Sequence, residues 1–234
     1  MSLPFPYRAV PAVLAGALTA LLAACTPSTA AGAAVPASVP AATPPAVVTP
    51  AAAPASAPAP APVASTLSIP AAGVTGLRVV PYEGTTDDVA GTRIQDLGAA
   101  ASPYGKRGGV GPGQVGNFLV TAHRMSAGGP LGDLPAVGPG DTVLVTVGEV
   151  VYTYEITTTR KTSFRSERSL SEQRAAVPGA PGAAPTQAMI TISTCATPED
   201  HAQGNFWKDA QGNPEHRIDK IGVLRTTSAA VPAG

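Results

Sequence analysis

Charged side chains are scarce in this sequence, and they are unevenly placed along it. Asp, Glu, Lys and Arg make up 13% of the 234 residues, and the formal net charge is zero. Because binding to a phosphate backbone depends on an excess of Lys and Arg, this balance gives no reason to expect nucleic acid as a partner. No charged residue occurs between Arg8 and Arg78, so a long uncharged leader precedes a mixed-charge region that is large enough for one folded domain.

The sequence also lacks the local motifs of several enzyme classes. It contains no glycine-rich phosphate-binding loop, no serine-centred nucleophile elbow and no basic segment studded with aromatic residues. The chemistry of this chain therefore has to be sought in other side chains.

Cysteine and histidine are nearly absent, which limits the sites that they could form. The two cysteines are Cys25 and Cys195, and the three histidines are His123, His201 and His216. Cys195 together with the histidines would offer zinc a plausible ligand set, although the Cys-x5-His spacing matches no compact zinc motif and brings only one thiolate. A structural lipoprotein with a zinc-stapled core stays an alternative.

The amino terminus predicts an export signal. Arg8 precedes an uncharged apolar run at residues 9–24, which is short for a membrane-spanning helix of about 20 residues. The run ends in Leu-Ala-Ala-Cys, which is similar to a bacterial lipobox in which Cys25 is freed at its amino side and acylated. The alternative is an uncleaved signal anchor, in which Cys25 is incidental. In both cases we expect a membrane anchor at the amino terminus and a domain on the extracytoplasmic face of the cell membrane.

Residues 26–65 have the composition of a stalk. They are almost entirely Ala, Pro, Val, Ser and Thr, and such a tract favours extended polyproline II because it cannot bury enough apolar area to fold. We therefore divide the chain into a lipoprotein-type signal peptide or signal anchor at 1–25, a disordered linker at 26–65, a folded domain at 66–227 and a frayed tail at 228–234.

Short strands separated by glycine and proline turns dominate the folded domain. Strands are predicted at residues 66–70 (an edge strand that ends at a proline), 76–81, 117–122, 142–147, 150–157, 189–195 and 218–224. A short helix is predicted at 92–98 and a polar helix within 164–173. This pattern indicates an all-β barrel or sandwich with little helix.

Cys195 ends a predicted strand and has no second cysteine in the domain with which to pair. A free cysteine is often simply a small buried hydrophobe. In an exported protein, however, structural cysteines usually come in pairs, and an unpaired thiol more often has a chemical role. The strand alone leaves both interpretations open, and the exported leader favours a nucleophile.

Two other side chains could assist this thiol. His123 also follows a predicted buried strand, so it could meet Cys195 at one rim of the sheet and supply the base or positive charge that activates a thiol. Arg217 precedes the last predicted strand, and its guanidinium could donate hydrogen bonds to an oxyanion. The alternatives are a surface or core histidine and a solvated arginine paired with Glu215 or Asp219.

Taken together, these segments resemble the sortase family. Residues 191–195, Thr-Ile-Ser-Thr-Cys, are similar to the Thr-Leu-x-Thr-Cys signature, with isoleucine in place of leucine. Residues 121–124, Thr-Ala-His-Arg, resemble the segment that carries the catalytic histidine, with alanine where glycine is more common. Arg217 and the opening segment 67–70 fit the same order of elements.

The glycine- and proline-rich segments 128–130 and 177–182 are most similar to those of actinobacterial class E sortases. The resemblance implies an eight-stranded β-barrel with short helices, and a cysteine transpeptidase that needs no metal or other cofactor. Cys195 would attack the Thr–Gly bond of a carboxy-terminal Leu-Pro/Ala-x-Thr-Gly sorting signal and form a thioester. His123 would donate and accept the proton, and Arg217 would stabilise the oxyanion. The implied partners are proteins that bear such signals and an amine of a peptidoglycan stem peptide.

The segment 198–215 is longer than the sortase pattern leads us to expect between the cysteine and the arginine. It is either a lid or specificity loop, or a surface excursion with Phe206 and Trp207 packed on the barrel. A catalytically inactive sortase-like binding module and a sorting-peptide hydrolase also stay open as alternatives.

Overall fold

The computed structural model describes residues 62–230, so the predictions for the signal or anchor, for Cys25 and for most of the stalk lie outside this part of the chain. Its strands are β1 (Ser65–Ile69), β2 (Val74–Glu83), β3 (Ala100–Tyr104), β4 (Gly116–Thr121), β5 (Thr142–Val147), β6 (Val150–Ser163), β7 (Ala188–Cys195) and β8 (His216–Ala229). Its α-helices are α1 (Val89–Asp96), α2 (Glu167–Arg174) and α3 (Thr197–Ala202), and short 3₁₀ helices lie at Pro70–Ala72 and Leu134–Ala136. Within residues 62–230, no helix has the length and apolar character needed to cross a bilayer.

The eight strands close into one barrel in the order β1-β2-β3-β4-β7-β8-β6-β5, and β5 pairs back onto β1. The pairs β2–β3 and β4–β7 are parallel, and the other neighbours run antiparallel. The predicted all-β, eight-stranded barrel is therefore confirmed, and the sandwich is not the fold.

Alternation along the strands fills the barrel with aliphatic side chains. In β7, Ile190 and Ile192 are fully buried in the core, and Thr191 and Ser193 occupy the other face of the strand. Each such buried aliphatic side chain stabilises the fold by roughly 1.5–3 kcal/mol. The core joins strands that are distant in sequence, among them Leu67, Val79, Phe118, Val143, Tyr154 and Ile156. This shared packing fixes the positions of the strand ends at the barrel rim.

Three predictions about the ends of the domain differ from the structure. Residues 66–70 do not form an edge strand, because barrel closure pairs β1 with β2 on one side and with β5 on the other. Arg217 lies inside β8 rather than before it. The last strand also continues past residue 227, since Ala229 pairs with Val150 at the start of β6 and so satisfies its backbone within the barrel.

Other elements were not predicted from the sequence. The strand β3 reads Ala-Ala-Ser-Pro-Tyr, which has weak strand propensity, and it forms because it pairs with β2 from Val79 to Glu83. The strand β6 continues to Ser163 because its polar second half pairs with the first half of β8. The helix α3 begins two residues after Cys195. Its first turn contains a proline, which is tolerated there, and two acidic residues, which the helix dipole favours at that end.

Candidate active site

The parallel pair β4–β7 brings the cysteine and one histidine to the same rim of the barrel. Thr121 of β4 is in register with Ser193 of β7, and parallel strands end at the same edge of a sheet. His123 lies two residues beyond Thr121, and Cys195 lies two residues beyond Ser193. The register of these two strands therefore brings His123 and Cys195 to one rim of the barrel, where both line the same cleft.

Thr194 links the two strand ends. Its side chain is 1% exposed, and its Oγ1 donates a hydrogen bond of 2.9 Å to the carbonyl oxygen of Ala122. The Ala122 N–H donates in turn to the carbonyl oxygen of Ser193 at 3.3 Å. Because successive strand residues point to opposite faces, Thr194 can hold the segment before His123 while Cys195 is directed to the other face.

Arg217 lies opposite Cys195 in the antiparallel pair β7–β8. Its Nη1 donates a hydrogen bond to the Cys195 Sγ, and its Nη2 donates to Asn213 Oδ1 at 2.7 Å. The guanidinium carbon lies 4.9 Å from the centre of the Phe164 ring. Arg217 is only 2% exposed, so the alternative of a solvated arginine paired with Glu215 or Asp219 is wrong.

The charge that balances Arg217 comes from Asp87. The Asp87 Oδ2 lies 3.1 Å from the Arg217 Nη2, and both side chains are 2% exposed. Burial lowers the pKa of Arg217, but Asp87 and then Cys195 outweigh it and raise that pKa above its ordinary value. Among the described residues, the buried Arg217 Nε has no hydrogen-bond acceptor, so one donor of the guanidinium remains uncommitted.

His123 contacts both the cysteine and a carboxylate. Its Nε2 lies 2.8 Å from the Asp96 Oδ1, with 16% of the His123 side chain and 60% of the Asp96 side chain exposed. The hydrogen bond with Cys195 has the largest effect on the pKa of His123 and raises it. Burial opposes this effect and Asp96 adds to it, so the pKa of His123 lies above its ordinary value of 6.5.

Cys195 and His123 open onto a cleft of about 410 Å³. Its walls come from α1, from the loop after β4 at Met125 and Ser126, and from residues 208–214. The segment 198–215 therefore borders the cleft, as a specificity loop would. Phe206 is 66% exposed and its ring contacts His201, with centroids 4.6 Å apart, so the alternative in which Phe206 packs on the barrel is wrong. Trp207 is half-buried, with the Arg165 guanidinium 5.9 Å from the centre of its ring.

Arg124 connects the wall of the cleft to the end of β7. Its Nη1 lies 2.5 Å from the Glu199 Oε2, and the same nitrogen donates to the carbonyl oxygen of Cys195 at 3.4 Å. Burial raises the pKa of Glu199, but the contact with Arg124 and a backbone hydrogen bond together outweigh it, and the pKa of Glu199 is lowered. Arg124 thus fixes the backbone of Cys195 and the start of α3 from the residue next to His123.

A buried polar cluster lies beside the reactive residues on the same face of β7 and β8. Asp219 is 1% exposed and accepts hydrogen bonds from Ser193 Oγ at 2.6 Å, Thr162 Oγ1 at 2.5 Å and Gln173 Nε2 at 3.0 Å. Burial raises the pKa of Asp219 above its usual range, although these donors oppose the shift. Gln173 also accepts a hydrogen bond from Thr86 at 3.0 Å, which ties α2 to the loop before α1.

The four candidate zinc ligands do not converge. His123 is paired with Asp96, His201 stacks on Phe206, and the Nδ1 of His216 lies 2.7 Å from Asp200. Within residues 62–230, no group of three or more His, Cys, Asp or Glu side chains could hold a metal ion. The zinc-stapled alternative therefore has no site in this part of the chain.

Sequence reasoning missed Asp87, Asp96 and Asn213, which hold the predicted site residues in place. Asp87 adopts a positive φ of 57° in the loop before α1, Asp96 ends that helix, and Asn213 lies in the segment after α3. None of them lies in a periodic pattern or a recognisable motif. The sequence does not distinguish the buried Asp87 from an ordinary surface aspartate, because its burial depends on the contact with the distant Arg217.

Comparison with known proteins supports the resemblance to sortases that the sequence motifs indicate. The sequence model of the sortase domain matches residues 67–210, a segment that contains His123 and Cys195 and ends before Arg217. No curated protein matches the chain significantly.

Solved sortase structures share this fold. Sortase E from Streptomyces avermitilis is 26% identical, with a TM-score of 0.52 over 72% of this chain and 91% of that chain. Sortase E1 from Streptomyces coelicolor, solved with a tripeptide in the active site, is 19% identical, with a TM-score of 0.53 over 74% and 94%. The SrtA sortase from Actinomyces oris is 20% identical, with a TM-score of 0.53 over 70% and 81%. The resemblance to sortases, with class E sortases among the structural neighbours, is confirmed.

Proposed function

The chain belongs to the sortase family of cysteine transpeptidases, and from this premise we propose that it cleaves a carboxy-terminal Leu-Pro/Ala-x-Thr-Gly-type sorting signal between Thr and Gly. The acyl group is carried as a thioester on Cys195 and then transferred to an amine of a cell-wall stem peptide. The observation that carries this proposal is the meeting of Cys195, His123 and Arg217 at one rim of the barrel, beside a cleft of about 410 Å³.

In the first half-reaction, the Cys195 Sγ adds to the carbonyl carbon of the threonine and forms a sulfur–carbon bond. Negative charge then develops on the carbonyl oxygen, and Arg217 stabilises it by donating hydrogen bonds. This role is supported by the buried, uncommitted Nε donor of Arg217. The carbon–nitrogen bond breaks as His123 donates its proton to the leaving glycine amine.

In the second half-reaction, the acceptor amine attacks the thioester carbonyl and forms the new amide bond. His123 accepts the proton of that amine, and the Cys195 sulfur leaves as the thiolate. The raised pKa of His123 suits this cycle, because the imidazolium form is the one that must be present to protonate the first leaving group. The cycle returns both side chains to their starting protonation states, and no metal or other cofactor takes part.

The same proposal places the enzyme on the extracytoplasmic face of the cell membrane. Residues 1–25 would anchor it, either through an acylated Cys25 or as a signal anchor, and the Ala/Pro-rich residues 26–65 would act as the stalk. A stalk of that length would let the barrel reach both membrane-held substrates and the amines of the wall.

The test uses the full-length protein purified in detergent, as wild type and as Cys195→Ala. Both are incubated with Leu-Ala-x-Thr-Gly and Leu-Pro-x-Thr-Gly peptides and an amine acceptor, and the products are identified by mass spectrometry. Cleavage after threonine with an amine-linked product, absent in Cys195→Ala, is the expected result. Free acid as the sole product, at every acceptor concentration, would favour a sorting-peptide hydrolase. Peptide binding without any cleavage by the folded wild type would instead favour the binding module.

A further inference from the structure

One carboxylate holds the ring of His123. Asp96 is the last residue of α1, and its Oδ1 lies 2.8 Å from the His123 Nε2. His123 itself lies beyond the end of β4, outside any strand or helix, so the backbone ladder does not fix its ring. The contact with Asp96 therefore adds a side-chain restraint on the orientation of the imidazole.

This contact also selects the tautomer of the neutral ring. A carboxylate only accepts hydrogen bonds, so the Nε2 that faces Asp96 carries the proton. The Nδ1 is then the nitrogen left for the thiol of Cys195. The arrangement matches the general pattern in which a nucleophile meets a base and a third group orients that base.

Two of the other charged side chains near His123 are paired with carboxylates, and a third lines the cleft without an ion pair to the His123 ring. Arg124 is paired with Glu199 at 2.5 Å, and Arg217 is paired with Asp87 at 3.1 Å. Lys208 lines the same cleft from the segment after α3, and among residues 62–230 Asp96 forms the one ion pair of His123. The carboxyl end of α1 adds a partial negative charge at the same place.

We propose that Asp96 is a positioning residue for His123: its carboxylate stays ionised and orients the ring, while the proton passes between His123 and Cys195. This inference rests on the proposed transpeptidation, in which His123 serves Cys195 as acid and base. The Asp96 carboxylate stabilises the imidazolium, and the imidazolium stabilises the thiolate. Asp96 thereby raises the fraction of enzyme that is ready to attack at neutral pH.

The direct test measures the pKa of His123 by NMR titration of its ring protons. It uses the full-length protein carrying Cys195→Ala, so that the thiol does not contribute, and the His123→Gln spectrum assigns the signal. Asp96→Asn should lower the pKa of His123, because the imidazolium loses its carboxylate. Glu149→Gln, which removes an exposed carboxylate at the turn between β5 and β6, should leave the pKa unchanged. If the pKa of His123 is the same with and without the Asp96→Asn substitution, the inference is wrong.

A second test follows the thiol itself, through the pH dependence of alkylation by iodoacetamide. The reaction is measured on the Cys195-containing peptide by mass spectrometry, so that Cys25 does not interfere. In Asp96→Asn the rate near pH 6 should fall about threefold, as suits a half-exposed ion pair, and Asp96→Glu should restore it. A purely structural role for Asp96 would lower the rate by the same factor at every pH, and that outcome would contradict the inference.

Neither readout needs a sorting peptide, so the two proposals fail separately. If Asp96→Asn changes the titration and the alkylation but the wild type cleaves no peptide, the positioning role of Asp96 stands and the proposed reaction does not. If the wild type cleaves and transfers peptides, but Asp96→Asn changes neither the pKa of His123 nor the alkylation of Cys195, the proposed function stands and the role of Asp96 is wrong.

Discussion

Asp87 and Arg217 form a buried ion pair beside the thiol of Cys195. The Asp87 Oδ2 and the Arg217 Nη2 are 3.1 Å apart, and each side chain is 2% exposed. Asp87 adopts a positive φ of 57°, which few residues with a Cβ tolerate and which Asp tolerates better than most. The neighbouring Thr86 is hydrogen-bonded to Gln173 of α2, so the loop from β2 to α1 is attached to two distant parts of the barrel.

Replacing Asp87 should destabilise the fold strongly. Asp87→Ala would leave the Arg217 guanidinium buried without its counterion, and breaking a buried ion pair in this way costs about 3–5 kcal/mol. The expected result is a loss of that order in the free energy of unfolding, measured by urea denaturation of the full-length protein.

The adjacent residue provides a matched control for this prediction. Asp88 caps α1 by accepting a hydrogen bond of 2.9 Å from the Gly91 N–H, and loss of such a cap costs about 1 kcal/mol. Asp88→Ala should therefore be clearly milder than Asp87→Ala. Equal losses in the two variants would mean that the ion pair with Arg217 contributes nothing beyond an ordinary helix cap.

The shape of the Arg217 side chain should matter as much as its charge. Its fork reaches Cys195, Asn213 and Asp87 at once, and a lysine ammonium cannot make these contacts from one position. We expect Arg217→Lys to lower kcat/KM for a sorting peptide by about 10²–10³-fold, as for loss of an oxyanion donor. Arg225→Lys is the control, because Arg225 is half exposed and pairs with Glu155 on the surface. A loss below tenfold in Arg217→Lys would argue that the guanidinium only holds the structure together.

The sequence predicts the site best where a strand with a recognisable hydrophobic pattern ends at a reactive side chain. The alternation in β7 predicts both its buried face and the placement of Cys195 at its end, and the apolar run of β4 does the same for His123. Parallel pairing of the two strands then needs no further information to bring the two side chains together. These are the parts of the site that depend on regular backbone geometry.

The parts that could not be predicted depend on tertiary contacts. Asp87 and Asp96 lie at the two ends of one polar helical region, and nothing local distinguishes them from solvated acids. The strand β3 has small residues with weak strand propensity and owes its conformation to β2. The sequence indicates Arg217 as a site residue, but its burial follows from the packing of Phe164 and Asp87 around it, which no sequence pattern indicates.

The proposed anchor makes a prediction about the mature amino terminus. If residues 22–25 act as a lipobox, the membrane-bound protein should begin at Cys25 and carry acyl chains on it, which mass spectrometry of the amino-terminal peptide would detect. Cys25→Ala should then block processing, leave Met1 on the protein and abolish acylation. An intact amino terminus and no acylation in the wild type would favour the signal anchor instead.

His123 should make the stability of the fold depend on pH. Its pKa is raised chiefly by the hydrogen bond with Cys195, so the folded state binds the proton more tightly than the unfolded chain does. The resulting stabilisation is fully present below the unfolded value of 6.5 and is lost as the pH rises through the raised folded-state pKa. We therefore expect His123→Gln to reduce the free energy of unfolding at pH 5.5 by more than it does at pH 8.5.

His201 provides a control for the loss of an exposed histidine side chain. His201 is exposed and its ring contacts Phe206, so His201→Gln is a surface substitution that should change the free energy of unfolding at pH 5.5 by less than His123→Gln does. Urea denaturation of the wild type and the two variants at pH 5.5 and 8.5 gives the comparison. If the free energy of unfolding depends on pH in the same way in His123→Gln and in the wild type, Cys195 and Asp96 do not stabilise the imidazolium in the folded state. The account of His123 as a group held ready for protonation at the cleft would then be wrong.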